Sequence, residues 1–381
     1  MLEMQVGKPA PVGAAPVQKL TYHGRIGPLY GIFIKIWLLN VVTLTIYRFW
    51  GKANLRRYIW SQMDLQGERL EYTGTGGELF QGFLIVVGLF IVVQIVLAVL
   101  AAIFGPESLI THATGILFGF SVLFLSMVAV YAAQRYRLTR TTWRGIRGGM
   151  SGSAWAYGLR ALGYNLLIAL TLGLATPWVQ MRLAEQRINN SYFGDAKALL
   201  EGKSASVYGG FILGFLLYVG LTAAFLAALW FGFDIPSLFA EMRDPHQGSG
   251  QSDPAQLHMV LKIFGLYFGF LIGMTFIGIF AFSWYAAAFF RALADGLSFD
   301  NLTFRSAMGA SNYFWLWTGN ILIYITTLGL GLPIVVHRSL RFFADRLEII
   351  GVIDVDRLRQ NTLPVPKTGE GLLETFDPGI W

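Results

Sequence analysis

The chain has 381 residues, of which 55% are apolar and 13% are charged. An ordinary soluble domain carries about 25% charged residues, so this composition excludes a soluble globular protein and predicts an integral membrane protein. The absence of cysteine excludes disulfides and thiolate chemistry. The net charge of +7 arises largely from arginines beside apolar runs, which favours membrane lipids with anionic headgroups, and no nucleic acid, as partners.

Four uninterrupted apolar runs are long enough to cross a bilayer, which takes about 20 helical residues. In chain order they are 82–104, 114–133, 208–232 and 260–290. The N-terminal segment lacks the hydrophobic core of a cleaved signal peptide, so we expect the first insertion signal to be internal. The sequence therefore predicts a protein that crosses the membrane several times.

One phrase occurs three times along the chain. The copies are Thr43–Trp50 (TLTIYRFW), Thr171–Trp178 (TLGLATPW) and Thr327–Ile334 (TLGLGLPI), and they align without a gap. An asparagine stands a few residues before each copy: Asn40, Asn165 and Asn320. A basic helical stretch follows each copy. Such self-similarity predicts an architecture built from repeats.

The repeats divide the chain into membrane units and tails. We predict a disordered N-terminal tail (1–20), a first membrane unit (21–133), a second unit (142–290), a truncated third unit (303–360) and a C-terminal tail (361–381). A complete unit consists of an apolar segment that ends in the phrase, a basic helix, a turn with short strand-like runs, and two apolar helices.

Glycine and proline inside the phrase are expected to break the helix, because proline lacks the N–H and clashes with the preceding turn. The predicted breaks are Gly173, Pro177, Gly329 and Pro333. Thr45 and Phe49 replace glycine and proline in the first copy, which argues against a sharp break there.

The helix after each phrase is basic and amphipathic, as is typical of helices that lie in the headgroup layer. The candidate contacts to lipid headgroups are Lys52, Arg56, Arg57, Arg182, Arg187, Arg338 and Arg341. A helix packed on the rest of the protein would show the same pattern, and both alternatives stay open.

The loops differ in charge, which predicts the side of the membrane on which each lies. The loop 105–113 contains Glu107 and neither lysine nor arginine, and the loop 233–259 is acidic, whereas 134–160 and 182–203 are basic. Lysine and arginine concentrate in cytoplasmic loops, which puts the two basic segments inside and the other two outside.

Every charge falls on its expected side if each phrase segment enters and leaves on the cytoplasmic face. We therefore predict an all-α polytopic membrane protein with four full transmembrane spans, three re-entrant or interfacial segments, and short β-like turns on the cytoplasmic side. The alternative is seven transmembrane helices, in which the second unit is inverted relative to the first.

Glycines four residues apart recur in the spans and let helix backbones approach closely. They are Gly115 and Gly119, Gly210 and Gly214, and Gly265, Gly269 and Gly273. We expect them to pack helices within the chain rather than to form a dimer face.

The stretch 47–82 resembles the YjgN family of bacterial inner-membrane proteins, a domain of unknown function. The runs Arg56-Arg57-Tyr58 and Glu71–Gly76 carry the resemblance together with the phrase, and it extends over about 20–360. It implies a multi-pass protein of the bacterial inner (cytoplasmic) membrane and brings no activity or cofactor. Because family members are often encoded beside a membrane-associated zinc peptidase, it also implies such a peptidase as a partner.

An enzyme needs convergent polar groups, and the sequence offers none. The five histidines are scattered, no HExxH motif occurs, and no acidic residue lies in the middle of a full span. His246 and His258 share an acidic loop, but such loops often hold these residues without a metal. We therefore predict that the protein is not an enzyme and has no catalytic, cofactor-binding or metal-ligating residue.

Two classes of function remain. The first is a permease or lipid-handling protein whose repeats surround a pathway, with Asn40, Asn165 and Asn320 lining it or packing the helices. The alternative is a non-catalytic scaffold or regulatory partner, for example of an envelope peptidase. Repetition favours the first class, and the lack of charge within the spans favours the second.

Overall fold

The computed structural model describes residues 17–232, 235–236, 254–353 and 357–363. Most of the predicted outer loop 233–259 and most of both predicted tails therefore lie outside the described residues, as do the side chains of His246 and His258. Within the described part, short strands alternate with pairs of helices.

The described ranges contain strands of two to five residues. The strands are β1 (Val17–Lys19), β2 (Thr21–Tyr22), β3 (Met63–Leu65), β4 (Glu68–Tyr72), β5 (Thr141–Trp143), β6 (Ile146–Met150), β7 (Ser191–Phe193), β8 (Ala196–Leu200), β9 (Leu297–Phe299), β10 (Leu302–Ser306) and β11 (Leu347–Ile350). The helices are α1 (Ile26–Val42), α2 (Arg48–Ser61), α3 (Gly76–Phe104), α4 (Leu109–Thr139), α5 (Ala154–Leu170), α6 (Thr176–Ile188), α7 (Ala205–Gly232), α8 (Pro254–Gly296), α9 (Ala310–Thr326) and α10 (Leu332–Arg346).

These strands form one antiparallel sheet of eleven strands, in the order β1-β11-β10-β9-β8-β7-β6-β5-β4-β3-β2. β1 and β2 lie at opposite ends of this order, yet only Leu20 separates them in the chain, so the sheet curves into a nearly closed barrel. The register pairs Val17 with Ile350 at one end and Thr21 with Asp64 at the other. The predicted all-α fold class is therefore wrong, and the predicted β-like turns are strands of this barrel.

The sequence predicts only short strand-like runs and not a sheet, because six of the eleven described strands have two or three residues. A period of two becomes clear only over four to eight residues. What marks the strands is a two-residue turn between a strand of three residues and a strand of five. Such turns lie at 66–67, 144–145, 194–195 and 300–301. Gln66 and Gly67 have φ of 55° and 82°, and Arg144 and Gly145 have φ of 50° and 73°, as in the type I′ turns of hairpins.

Each pair of helices is inserted between two strands of the barrel. The resulting module occurs five times, as β2-α1-α2-β3, β4-α3-α4-β5, β6-α5-α6-β7, β8-α7-α8-β9 and β10-α9-α10-β11. Three modules carry short helices, and two carry the long pairs α3/α4 and α7/α8. The predicted units 21–133 and 142–290 each cover most of two modules, and 303–360 covers most of one.

Four helices of the described chain are long enough and apolar enough to cross a membrane: Gly76–Phe104, Leu109–Thr139, Ala205–Gly232 and Met259–Gly296. Because every pair starts and ends at one barrel, each pair returns to the side that it left. If α1, α5 or α9 crossed fully, then α2, α6 or α10 would have to cross back. The helices α2, α6 and α10 have 14, 13 and 15 residues, whereas a span takes about 20. They are too short to cross back, so the barrel excludes seven full spans.

The same turn separates the two helices of every short pair. The second and third residues of the phrase have positive φ in each copy: Leu44 and Thr45, Leu172 and Gly173, Leu328 and Gly329. Thr45 has φ of 71° where the other copies have glycine, so the expected weaker break in the first copy is not observed. Pro177 and Pro333 stand in the first turn of α6 and α10, where proline begins a helix rather than breaking it.

The turns close their own hydrogen bonds. The hydroxyl of the leading threonine donates to a carbonyl four residues earlier and accepts from an N–H four residues later, in all three copies. Every N–H from Thr171 to Thr176 is bonded in this way or to a backbone carbonyl. Leu44, Leu172 and Leu328 are 84%, 86% and 91% exposed at the tips. The turns therefore present apolar tips on a backbone whose N–H groups, in the second copy, are all bonded.

The amphipathic helices after the turns pack on the rest of the protein. Met181 and Ala184 of α6 are buried against β8, α7 and α8. Val336 of α10 is fully buried against α1 and α2. Burying such a side chain contributes about 1.5–3 kcal/mol, which a helix lying free in the headgroup layer would not gain from protein. Of the two alternatives for these helices, the structure therefore shows packing on the protein.

Candidate functional site

A groove of about 950 Å³ runs between α3 and α4. Its lining extends from Ile85 to Leu100 on α3 and from Thr114 to Arg135 on α4. At 1.5 Å per residue, the α3 side is about 22 Å long, which is most of the roughly 30 Å of hydrocarbon in a bilayer. Trp155 at the start of α5 also borders the groove.

Three glycines of α3 and α4 do not face the opposite helix, so they do not draw the two helices together. A Cβ added at Gly88, Gly115 or Gly119 would meet no atom within 4 Å. Glycines bring helices together only where they face a neighbouring helix. The close packing predicted at Gly115 and Gly119 is therefore not observed.

Other predicted glycine steps do face a neighbouring helix. A Cβ at Gly210 would come within 2.8 Å of the Trp284 carbonyl oxygen, and one at Gly214 within 2.5 Å of the Ala281 carbonyl oxygen. These two glycines let α7 lie directly on the backbone of α8. Gly273 faces the ring of Phe225, whereas Gly265 and Gly269 meet nothing within 4 Å.

The end of the groove nearest the sheet is basic. The Arg135 guanidinium donates to the Gly152 carbonyl and lies 5.3 Å from the centre of the Tyr131 ring. Tyr131 is fully buried and its hydroxyl donates to the Ser151 carbonyl, so the ring under the arginine is fixed. Ser153 caps α5 beside it, accepting from the Ala156 N–H at 3.3 Å. A positive charge is thus held at the mouth of an apolar groove.

Hydroxyl groups along the groove are satisfied within their own helix. Ser121 donates to the Leu117 carbonyl at 2.8 Å, and Thr114 donates to the Ile110 carbonyl at 2.9 Å. The other side chains between them are aliphatic or aromatic. The groove is therefore lined by hydrocarbon, with the Arg135 guanidinium at the end nearest the sheet.

The three predicted asparagines lie in three different modules. Asn320 is buried and donates to the Ser339 hydroxyl at 3.0 Å, joining α9 to α10. Asn165 donates to the Ala161 carbonyl at 2.8 Å and lies 3.6 Å from the sulfur of Met127 on α4. Asn40 is half-buried, and its backbone carbonyl accepts from Thr45 in the turn. Within the described part of the chain, no hydrogen bond joins any two of the three.

The predicted headgroup contacts occupy different environments. Arg57, Arg182 and Arg341 are exposed, and the last two pair with Glu185 at 2.8 Å and Asp345 at 3.7 Å. Lys52, Arg187 and Arg338 are half-buried. Arg56 is fully buried, with its guanidinium 6.0 Å from the centre of the Tyr72 ring, so it packs inside the protein.

Two ionisable groups outside the spans have shifted pKa values. Burial raises the pKa of Tyr22 to about 12, and burial followed by the nearby Arg341 charge lowers the pKa of His337. The two rings lie 5.5 Å apart and do not border the groove. Among the described residues, no group of three His, Asp or Glu side chains is placed to hold a metal.

Neither the groove nor its basic end was predicted. The sequence shows α3 and α4 as two apolar spans, and periodicity does not tell how far apart two helices lie. The available signal was the cluster of arginines at the end of α4, which includes Arg135. By itself, that cluster indicates only the side of the membrane on which the end of α4 lies.

Comparisons with known proteins support a membrane location. A model of the family described as "Bacterial protein of unknown function (DUF898)" matches residues 17–375. The inner membrane protein YjgN of Salmonella typhimurium is 32% identical over 162 residues, which cover 41% of this chain and 37% of the relative. The inner membrane protein YjgN of Escherichia coli O157:H7 is 26% identical over 161 residues, covering 42% and 37%.

The aligned segments span little more than a third of the length of these relatives. No solved structure matches the chain. The family model, in contrast, covers nearly all of it, and the predicted resemblance and the predicted multi-pass location in the inner membrane are confirmed. The chain belongs to the DUF898 family of bacterial proteins of unknown function and is a multi-pass protein of the inner membrane.

Proposed function

We propose that this protein binds a membrane phospholipid in the groove between α3 and α4. The acyl chains lie along the two spans, and the phosphate lies beside Arg135. The observation that carries the proposal is a long apolar groove of about 950 Å³ with a fixed cation at one end.

Selectivity for a lipid has to come from shape and from the headgroup. An acyl chain that leaves the bilayer for the groove exchanges one hydrocarbon surface for another, so the hydrophobic effect supplies little net free energy. A phosphate beside an arginine, in contrast, gains charge-assisted hydrogen bonds in a region of low dielectric. We therefore expect modest affinity and a preference for anionic phospholipids.

The lining of the groove argues against a pathway for polar solutes. The hydroxyl groups of Thr114 and Ser121 are engaged with carbonyls of their own helix, and the surface between them is hydrocarbon. A charged solute in such a groove would lose its hydration without gaining partners, which costs several kcal/mol or more. Of the functions predicted from the sequence, the groove thus favours lipid handling over a permease.

The proposal is tested by filling the groove. Val93 lines it and is half-buried, whereas Val219 of α7 is 50% exposed and lies outside it. We would extract the protein from membranes with detergent and remove unbound lipid by gel filtration. Bound phospholipids are then counted by native mass spectrometry. We expect Val93→Trp to lower the bound lipid at least fivefold and Val219→Trp to leave it unchanged.

A second variant tests the headgroup contact. Arg135→Gln removes the charge beside the Gly152 carbonyl but keeps a polar side chain with hydrogen-bond donors. We expect it to remove the preference for phosphatidylglycerol over phosphatidylcholine while the total bound lipid falls less than in Val93→Trp. If Val93→Trp and Val219→Trp retain equal amounts of lipid, the groove is not a lipid site, and the scaffold function becomes the better hypothesis.

A further inference from the structure

A separate polar cavity of about 360 Å³ lies at the sheet end of the other long pair, where α7 begins and α8 ends. Its polar lining consists of Glu201, Lys203, Ser206, Arg291 and Asp295. The cavity therefore contains two carboxylates and two cationic groups, and their formal charges cancel. The cavity lies where the long helices α7 and α8 join the barrel.

The four charged side chains do not neutralise one another. Within the described ranges, none of the four forms an ion pair shorter than 4.0 Å. Arg291 donates instead to the Met308 carbonyl, and Asp295 accepts from the Ser306 N–H at 3.4 Å. These backbone contacts anchor one cation and one anion on the wall of the cavity without pairing them.

The backbone around the cavity is closely fitted. The Glu201 N–H donates to the Gly296 carbonyl at 3.0 Å, and a Cβ at Gly296 would come within 2.8 Å of the Glu201 carbonyl oxygen. The end of β8 is thereby locked to the end of α8. The backbone of the cavity is therefore preformed, while the side chains of Glu201, Lys203 and Asp295 are exposed and can reach a ligand.

The corresponding place in the first long pair shows that open charges are not a requirement of the module. There Glu78, in the first turn of α3, pairs with Arg140 at the end of α4 at 2.8 Å. The Tyr136 hydroxyl also donates to Glu78, at 2.7 Å. The acidic and basic side chains thus form an ion pair at the sheet end of α3 and α4, whereas those at the sheet end of α7 and α8 do not.

We propose that this cavity binds a ligand that carries both a phosphate and an amine, such as the phosphoethanolamine group. The phosphate would pair with Lys203 and Arg291, and the ammonium with Glu201 and Asp295. A phosphate alone would also face two carboxylates, and an amine alone would face two cations, so a zwitterion matches the lining better than either. The group can belong to a phosphatidylethanolamine lipid or to a free molecule.

Isothermal titration calorimetry of the detergent-purified protein tests the chemistry, with free phosphoethanolamine as the probe. We expect binding, and at least tenfold weaker binding of inorganic phosphate or of ethanolamine alone. Lys203→Gln and Glu201→Gln should each weaken phosphoethanolamine binding at least tenfold. Lys197→Gln is the matched control, because Lys197 is exposed on β8 and outside the cavity. Gel filtration and circular dichroism verify that each variant is folded.

Nanodiscs that contain equal phosphatidylethanolamine and phosphatidylglycerol distinguish a lipid from a free ligand. The Val93→Trp variant serves as background, so that a lipid in the α3/α4 groove does not contribute. Enrichment of phosphatidylethanolamine that is lost in Lys203→Gln supports the site with a lipid occupant, and calorimetric binding without enrichment supports it with a free one. The proposal is overturned if neither probe binds, if phosphate alone binds as tightly, or if Lys203→Gln binds like Lys197→Gln.

Discussion

The two long helix pairs hold equivalent places in the barrel. They differ in how closely their two helices pack and in whether the charged side chains at the sheet end pair with one another. Between α7 and α8, Gly210 and Gly214 bring the two backbones into contact, while the charges at the sheet end stay apart. Between α3 and α4 the helices leave a groove, while Glu78 and Arg140 close the sheet end. A module repeated for its fold can therefore offer lipid-facing space in one copy and a polar cavity in the other.

The largest effect that we expect concerns the common orientation of the pairs. With single cysteines at Ser108, in the turn between α3 and α4, and at Ser191, on β7, a membrane-impermeant maleimide should label only the first in intact cells. The lack of lysine and arginine at 105–113 and the arginines around the barrel put the barrel in the cytoplasm.

We expect complete labelling of the cysteine at position 108 and none at position 191 in intact cells. The cysteine that replaces Ser191 should react only after the membrane is permeabilised. The chain has no cysteine, so the unmodified protein is the blank. If Ser191 labels from outside and Ser108 does not, the barrel is periplasmic. If both label from outside, α3 and α4 do not cross as a pair. The equivalent site at Ser252 lies outside the described residues.

The next effect separates the closed pair from the open one. Gly214→Leu would place a Cβ 2.5 Å from a backbone oxygen of α8, which cannot move without moving the helix. Overpacking of this kind costs about 1–3 kcal/mol or more. We expect a clearly lower melting temperature in detergent, as measured by tryptophan fluorescence.

Gly119→Leu is the matched control on α4, because a Cβ there meets nothing within 4 Å. Its free energy of unfolding should lie within about 0.5 kcal/mol of that of the parent protein, as is usual for surface substitutions. Equal destabilisation by both variants would show that α3 and α4 also pack closely in the detergent-solubilised protein. That result would contradict the groove between them.

The smallest effect concerns the closed sheet end of α3/α4. Glu78→Gln removes the carboxylate that pairs with Arg140 and accepts from the Tyr136 hydroxyl. The Arg140 and Glu78 side chains are 22% and 33% exposed, so we expect a loss of about 1 kcal/mol of unfolding free energy.

Glu185→Gln breaks the Arg182–Glu185 pair within α6, whose arginine is 52% and whose glutamate is 15% exposed, and serves as the comparison. An i,i+3 pair on a helix surface contributes about 0.2–0.5 kcal/mol. Thermal melts at low and high salt should show the larger loss for Glu78→Gln and weaker salt dependence. A smaller loss for Glu78→Gln than for Glu185→Gln would mean that the sheet end does not depend on this pair.

The candidate sites show where prediction from sequence stops. Gly173 and Gly329 have positive φ in their turns, which the local sterics of glycine allow. The turn at Leu44 and Thr45 was not predicted to be sharp, and Pro177 and Pro333 begin helices rather than break them. The burial of Arg56 could not be predicted from the sequence. A basic helix has the same pattern whether its arginines face lipid or, as here, a buried Tyr72 ring. The glycine steps predicted close packing at Gly214 correctly and at Gly119 wrongly, since a glycine does not specify which neighbour it meets.

By itself the sequence determined that the chain is a membrane protein, where its four long apolar helices lie, and that one phrase recurs three times. These properties depend on hydrophobicity and on local sterics, which neighbouring residues largely decide. The tertiary structure alone decided that strands of two to five residues join into one barrel, because pairings such as Val17 with Ile350 connect distant parts of the chain. It also decided that one helix pair opens into a groove while the other closes, because distances between helices depend on every contact around them.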